Sequence, residues 1–336
     1  MATGVDIGSI YTLVDLFKMI GADGRAMYLA QTLARRNPFV QRMPVIEANQ
    51  ALFHTANRQL ALPSVSKRAL NDGAAFAAHK ETTVSAPMSL FEVFSKVDEE
   101  ILNLAGANAE NVRQRKDTAF IEAMTQAVAD ETIYGSIGDD PLGFNGLSVL
   151  FQSSTVRPNG DSGADYNVIL NGGSGSYTTS MYFIETGEEK VHLIYPKGTQ
   201  GGLHTKDLGE QLVDGSTAGT KLLMWITQFK WRVGLFISDD RCVQRIANIM
   251  TSGSDSIWDK DKCIQALNQL PSGGEDPGTI ILCNRTVKTQ MEIAASDKSN
   301  MITTDFNNAF GVAVLRFRGV PILFTDALTN AETAIS

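Results

Sequence analysis

The chain has 336 residues, 43% hydrophobic and 20% charged, which excludes wholesale disorder, a collagen-like repeat and a disulfide-stapled miniprotein. Its formal net charge of −8 argues against a surface that clings throughout to nucleic acid or anionic lipid, because such binding needs exposed Lys and Arg to displace counterions. The length allows about two domains, or one large one with extensions.

The charge is uneven. Residues 1–70 carry eight Lys and Arg against four Asp and Glu, a balance of +4, which leaves −12 for the rest. A basic front and an acidic body can pair between copies of the chain, although compositional drift is the plainer reading. Cys242, Cys263 and Cys283 are odd in number and contain no CxxC, so they read as reduced core thiols. The first 21 residues lack the apolar region of a secretory signal and no window approaches 18 apolar residues. A soluble protein made in a reducing cytoplasm is expected.

Ile10, Leu13, Val14, Phe17 and Ile20 share one helical face, which predicts a short amphipathic helix at the start. Residues 35–90 lose that period. Pro38, Pro44, Pro63 and Pro87 punctuate strand-like pieces with little bulk between them, so an extended arm or long hairpin is expected, ordered by another surface. Residues 89–104 place Leu90, Val93, Phe94, Val97, Ile101 and Leu104 at helical spacing and predict a helix.

Asn108 is a good N-cap, Glu110 sits in the first turn, and Lys116, Phe120, Met124 and Val128 recur every fourth residue with no Gly or Pro before Gly135. A helix over 108–134 follows, about 40 Å long at roughly 1.5 Å per residue. It needs something packed along its length. The Gly-, Asp- and Ser-rich stretch after Gly135 marks the main domain boundary.

Strands are expected over 177–186 and 190–195, joined by a turn at 187–189. The clearest strand puts Leu223, Trp225, Thr227, Phe229, Trp231 and Val233 on one face. Asp239 or Asp240 can cap a helix carrying Val243, Ile246 and Met250, and Asp259 another carrying Ile264, Leu267 and Leu270. A short strand over 279–283 leads to Asn284 as the cap of a helix over 285–295. Strands over 312–317 and 320–324 break at Arg318-Gly319. The mixture is α+β without a regular βαβ beat.

Short motifs for catalysis are missing. Gly172-Gly173-Ser174-Gly175-Ser176 ends in Ser and runs into a β-branched and aromatic stretch, so the strand-turn-helix context of a nucleophile elbow fails. Neither a GxGxxG after a strand nor a Walker lysine occurs. His54, His79, His192 and His204 have no metal-ligand spacing and read as satisfied or exposed side chains. Asp255, Asp259 and Asp261 lack the Gly and Glu of an EF-hand and read as helix caps, and Asp139-Asp140 reads as a turn. Trp225, Phe229 and Trp231 read as core, with an interface as the alternative. No catalytic, cofactor-binding or metal-ligating residue is assigned, and no cofactor is expected.

The segment Pro141-Leu142-Gly143-Phe144-Asn145-Gly146-Leu147, then residues 195–203, 229–235 and 245–249, then Cys283-Asn284-Arg285-Thr286-Val287, residues 317–322 and Thr325-Asp326-Ala327-Leu328, resemble in their order the major capsid proteins of tailed double-stranded DNA phages, particularly short-tailed ones. The resemblance covers most of residues 140–330. It implies a Hong Kong 97-like capsid fold with an N-arm, an extended β-hairpin loop, a long spine helix, and peripheral and axial domains. The implied map is arm and extended loop over 1–88, peripheral domain over 89–139 with the spine helix at 108–134, mainly axial domain over 140–300, and closing peripheral strands with the C-terminus over 301–336.

By the same resemblance the chain is a structural protein, not an enzyme. It self-assembles through pentamers and hexamers into an icosahedral shell built in the host bacterial cytoplasm, which encloses double-stranded DNA without specific binding and without a membrane. Implied partners are a separate scaffolding protein, a portal protein and a cement or decoration protein. No residues match the Lys-to-Asn isopeptide bond of some relatives, so noncovalent or protein-clamped assembly is expected. The alternatives are an encapsulating protein compartment of the same fold, a soluble α+β enzyme without a recognisable motif, or a tail-tube or decoration protein.

Overall fold

The structure is a computed structural model that describes residues 37–68, 70, 71, 73, 76–152, 167–215, 220–253, 255–297, 302–304 and 315–335. The helix expected over residues 10–20 and residues 312–314 of an expected strand lie outside the described residues. The chain begins with α1 (Pro38–Arg42), β1 (Val45–Glu47), β2 (Phe53–Ala61), β3 (Lys80–Pro87), β4 (Ser89–Asp98), α2 (Glu99–Ala105) and α3 (Ala109–Tyr134). Next come α4 (Leu147–Leu150), β5 (Val168–Leu170), β6 (Thr178–Glu185), β7 (Val191–Tyr195), β8 (Leu203–Asp214) and β9 (Lys221–Ile237). The remainder is β10 (Val243–Met250), α5 (Lys260–Gln269), β11 (Thr279–Cys283), α6 (Arg285–Asp297), β12 (Ile302–Thr304), β13 (Leu315–Phe317) and β14 (Val320–Phe324). The described residues form two compact units, one holding Leu90–Val128 and Gly202–Arg232, the other Arg36–Ser89, Ala129–Gly201 and Val233–Ser336.

The expected long helix is α3, whose residues as far as Val128 belong to the first unit. Its 26 residues contain no Gly or Pro, and Glu110 meets the positive end of the helix dipole. Val112 packs with Val97, Ile101, Leu102 and Ala105 in a small apolar cluster that the half-buried Trp225 and Ala109 complete. The helical expectation for residues 89–104 is wrong over its first ten positions. Ser89, Ser95 and Val97 are buried while Leu90 and Phe94 stay exposed, the two-residue period of a strand. Aromatic and β-branched residues at 91, 93, 94 and 97 favour the pleat, and Asp98 then starts α2 by accepting a hydrogen bond from Glu100 N at 3.0 Å.

The antiparallel ribbon of β8 and β9 pairs Leu203 with Trp231 through to Asp214 with Lys221. Thr227, Phe229 and Val233 are buried as expected, but Leu223 is exposed and Met224 buried. The faces exchange where β8 carries an extra residue between Asp207 and Gly209, a bulge opposite Thr227 and Ile226 that adds local twist. Arg113 closes this side, 2.8 Å from Asp207 and 4.9 Å above the Trp225 ring.

Among the described residues, the second unit is built on a seven-stranded sheet in the order β12-β13-β14-β11-β6-β10-β5. Every residue of β6 and β11 is buried, as central strands covered on both faces require. Met181, Phe183, Ile246, Ile249 and Ile281 pack against Cys263, Ala266 and Leu267 of α5 and Val287 and Met291 of α6. Both helices start as the sequence predicts: Asp259 accepts from Asp261 N at 2.9 Å, and Asn284 accepts from Val287 N at 2.8 Å. The two-residue turn between β13 and β14 has Arg318 and Gly319 both at positive φ, 50° and 86°.

The helix expected to carry Val243, Ile246 and Met250 is instead β10, paired antiparallel with β6 and parallel with β5. Asp239 does cap, but only a single turn over 240–242. The register of β10 shifts between Ile246 and Ile249, and Asn248 sits at φ 61°. This bulge brings Ile246 and Ile249, three apart, into the same apolar cluster, so a bulged strand imitates helical spacing.

The segment 141–147 folds against the end of α3. Phe144 and Leu147 are buried, Phe144 N donates to Glu131 Oε1 at 3.1 Å, and Gly146 N donates to Gly135 O at 2.8 Å. A Cβ on Gly146 would lie 2.7 Å from Glu131 O, so backbone meets backbone where only glycine fits. In the same unit, β6 and β7 follow each other through the expected turn but pair elsewhere: β7 lies between β1 and the end of β9.

Candidate assembly surface

The outstanding feature of the second unit is the hairpin of β2 and β3, paired from Phe53 with Pro87 to Ala61 with Lys80. One face, made by His54, Ala56 and Arg58 with Thr82, Val84 and Ala86 opposite, is half-buried, whereas Asn57, Gln59, Thr83 and Ser85 are exposed. Past the strands every described side chain of the connecting loop 62–79 is exposed. These include Leu62 at 81%, Val65 at 95% and Leu70 at 97%. Phe76 is also fully open. The exposed large apolar side chains, with Lys67 and Arg68 in the same loop, form an apolar and basic tip.

The root of the hairpin is held by polar and aromatic contacts. Asn49 donates to Thr55 O at 2.6 Å and accepts from Thr55 N at 3.0 Å, standing in for a neighbouring strand where β2 begins. Arg58 donates to Ser238 O at 2.9 Å and Ile237 O at 2.7 Å and faces Asp240 at 3.6 Å. The His54 ring meets Phe236 edge-on at 4.4 Å and His192 at 6.0 Å. Burial pushes both imidazoles below their ordinary range, and His54 adds to the effect on His192.

A second polar cluster ties residue 332 into the same unit. Glu332 accepts from Tyr134 Oη at 2.6 Å, from Ser180 Oγ at 2.5 Å and from Arg245 at 3.1 Å. Arg245 also donates to Ser148 O and Phe151 O and stacks above Tyr182 at 5.5 Å. Burial pushes the Tyr134 phenol up, and the neighbouring Glu332 charge adds to it. Lys190 bridges Glu185 and Asp276; burial opposes its charge, but hydrogen bonds to the two carboxylates outweigh this and raise it.

The residues weighed in the sequence for chemistry take structural places. Of the histidines, His54 and His192 meet, His79 pairs with Glu81 at 2.8 Å, and His204 lies on β8. Asp140 accepts from Leu142 N within its turn, and Gly172 to Ser176 lead into β6 rather than a helix. Cys242, Cys263 and Cys283 are free and buried, and burial pushes all three thiols up to about 12. Among the described residues no three His, Cys, Asp or Glu side chains are grouped to hold a metal. Sequence reasoning missed Arg245, Glu332, Tyr134 and Ser180, which carry no local motif.

The chain matches the family described as "Major capsid protein GP7" over residues 21–336. No curated protein sequence matches it. Among solved structures, the capsid of bacteriophage Epsilon15 is 21% identical, covers 99% of both chains and superposes with a TM-score of 0.73, which shows a shared Hong Kong 97-like α+β fold. The capsid of bacteriophage JBD30 is 12% identical over 89% of this chain and 92% of that one, with a TM-score of 0.46. An encapsulin of Synechococcus elongatus is 12% identical over 73% and 98%, with a TM-score of 0.45. The family match over residues 21–336, with the fold shared with the Epsilon15 structure beside it, leads to one conclusion: the chain belongs to the major capsid protein GP7 family, and it is a structural protein of the phage shell, not an enzyme.

Proposed function

We propose that this capsid protein closes its shell by lapping the β2–β3 hairpin over a neighbouring copy within pentameric and hexameric rings. The observation that carries this reading is the tip, where Leu62, Val65, Leu70 and Phe76 stand exposed in the same loop as Lys67 and Arg68. Apolar surface of that extent is stabilised only when another surface covers it. The basic tip, on a chain whose remainder is acidic, favours a sibling copy as the cover. Contacts are noncovalent, and a scaffolding protein, a portal protein and a cement protein complete the particle. The acidic balance suits a container that holds double-stranded DNA without gripping it at many phosphates.

In this reading residues 1–88 supply the arm and extended loop, 89–139 the peripheral domain with the spine helix α3, 140–300 mainly the axial domain and 301–336 the closing strands. Because Gly202–Arg232 groups with Leu90–Val128, we place the β8–β9 ribbon with the spine helix. Because β13 and β14 share a sheet with β11 and β6, we place them with the axial part. The test is electron microscopy of the chain coexpressed with its scaffolding protein, wild type against a Val65→Ser, Leu70→Ser, Phe76→Ser variant. Closed shells from the wild type and only folded, unassembled subunits from the variant are expected; shells from both in equal yield would overturn the reading.

A further inference from the structure

The hairpin root places two histidines 138 positions apart in sequence against one aromatic ring, with His192 buried and His54 half-buried, a setting that disfavours a second proton on each ring. His192 is 2% exposed. Its Nδ1 lies 3.2 Å from Gly187 O, so that nitrogen carries the proton, and its Nε2 is buried with no hydrogen-bond partner among the described residues. His54 uses Nδ1 to accept from Asn49 N at 3.3 Å, so a proton added there removes the acceptor. The ring centroids are 6.0 Å apart, and Phe236 touches both, at 4.4 Å from His54 and 5.4 Å from His192.

The surrounding charges offer little relief. From β2 itself comes Arg58, a cation already facing Asp240 at 3.6 Å. From the start of β7 comes Lys190, a second cation, which occupies Glu185 and Asp276. Asp240, Glu185 and Asp276 are thus engaged by permanent cations, Asp239 is paired with Arg241 at 2.7 Å, and Phe236 and Gly187 bring no charge. Two imidazolium ions with ring centroids 6.0 Å apart would repel each other and lose hydration at a partly buried root.

We propose that the hairpin root is an acid-sensitive latch, in which protonation of His54 and His192 releases β2 and β3 from β7 and the end of β9. The sign follows from linkage. Burial lowers both imidazoles from 6.5, so the released root binds more protons than the docked one, and docking is full above that value and weakens as pH falls through and below it. Arg58 and the Asn49 turn hold the root at neutral pH; in acid they act alone. The latch belongs to the single chain and does not depend on which surface covers the tip.

Hydrogen exchange of the full-length protein tests it, corrected for the pH dependence of amide chemistry and read on peptides covering β2, β3 and β7. Protection in these strands is expected to fall about tenfold between about pH 7.5 and pH 5, while β6 and β11 stay unchanged. A His54→Phe, His192→Phe variant keeps the ring packing and is expected to hold its protection at the lower pH. Equal protection of the wild-type root at both pH values, or an equal loss in the variant, overturns the proposal. Histidine C2-hydrogen exchange on the wild type serves if the variant fails to fold: midpoints below 6.5 for both rings support the latch, and a midpoint at or above 6.5 for either overturns it.

Discussion

The guanidinium of Arg245 lies 3.1 Å from the carboxylate of Glu332, 87 residues further along the chain, and only 4% and 7% of the two side chains is exposed. Arg245 stands on a central strand, and its other bonds reach Ser148 O, Phe151 O and Ser180 Oγ. One ion pair therefore joins β10, β6, the α4 turn and the segment around residue 332. Removing either charge alone strands the other in a dry interior.

Glu332→Ala is accordingly expected to destabilise the second unit by about 3–5 kcal/mol, and Glu332→Gln by less, because its one amide oxygen can still accept from Tyr134 Oη. Urea unfolding at neutral pH measures both. A loss under about 1 kcal/mol in Glu332→Ala would show the pair to be dispensable.

Gly146 and Gly138 lie in the same turn region but differ in what surrounds them. A Cβ on Gly146 meets Glu131 O at 2.7 Å and Ile133 C at 2.7 Å, whereas on Gly138 the nearest atom is Ser136 Oγ at 3.6 Å. Gly146→Ala is expected to cost about 1–3 kcal/mol or more, and Gly138→Ala to stay within about 0.5 kcal/mol. Thermal unfolding of the two variants side by side gives the comparison.

Lys116 is buried in α3 and donates to Lys96 O, and burial, only partly offset by Asp117, pulls its ammonium from 10.5 down to about 8. The unfolded chain therefore holds this proton more tightly than the folded one. Stability is expected to rise by about 3 kcal/mol as pH climbs from about 8 to 10.5, and to lack this rise in Lys116→Met. Urea midpoints across that range decide it.

Asn284 and Asp259 both cap helices, but Asn284 is also buried and donates to Thr179 Oγ1 at 2.9 Å and Asn330 Oδ1 at 2.5 Å. Replacing Asp259 by Ala is expected to cost about 1 kcal/mol, the ordinary value of an exposed cap. Asn284→Ala should cost about 2 kcal/mol or more, because it also leaves buried partners unpaired. Equal losses in a denaturation series would mean that the extra bonds contribute nothing.

A thiol reagent offered to the native protein at neutral pH should label none of the three cysteines, since burial both shields them and suppresses the thiolate. In denaturant all three should react. Rapid labelling in the native state would place at least one of them at the surface.

Of the candidate site, the sequence disclosed the hairpin in outline, because four prolines and a lack of bulk left residues 35–90 no core of their own. It disclosed nothing of the root. His54 and His192 carry no spacing signal, since their meeting depends on β2 docking beside β7, a contact no local window contains. The same holds for Arg245 and Glu332.

What the sequence by itself determined is what a few neighbouring residues decide: the long α3 without Gly or Pro, the caps at Asp259 and Asn284, and the turn at Arg318-Gly319. Only the tertiary structure decided that residues 89–98 and 243–250 are strands. Their apolar spacing satisfies a helix equally well, in the second case because a bulge at Asn248 shifts the phase. Hydrogen-bonding partners far along the chain break that tie, since a strand is stabilised by neighbours that the local sequence does not contain.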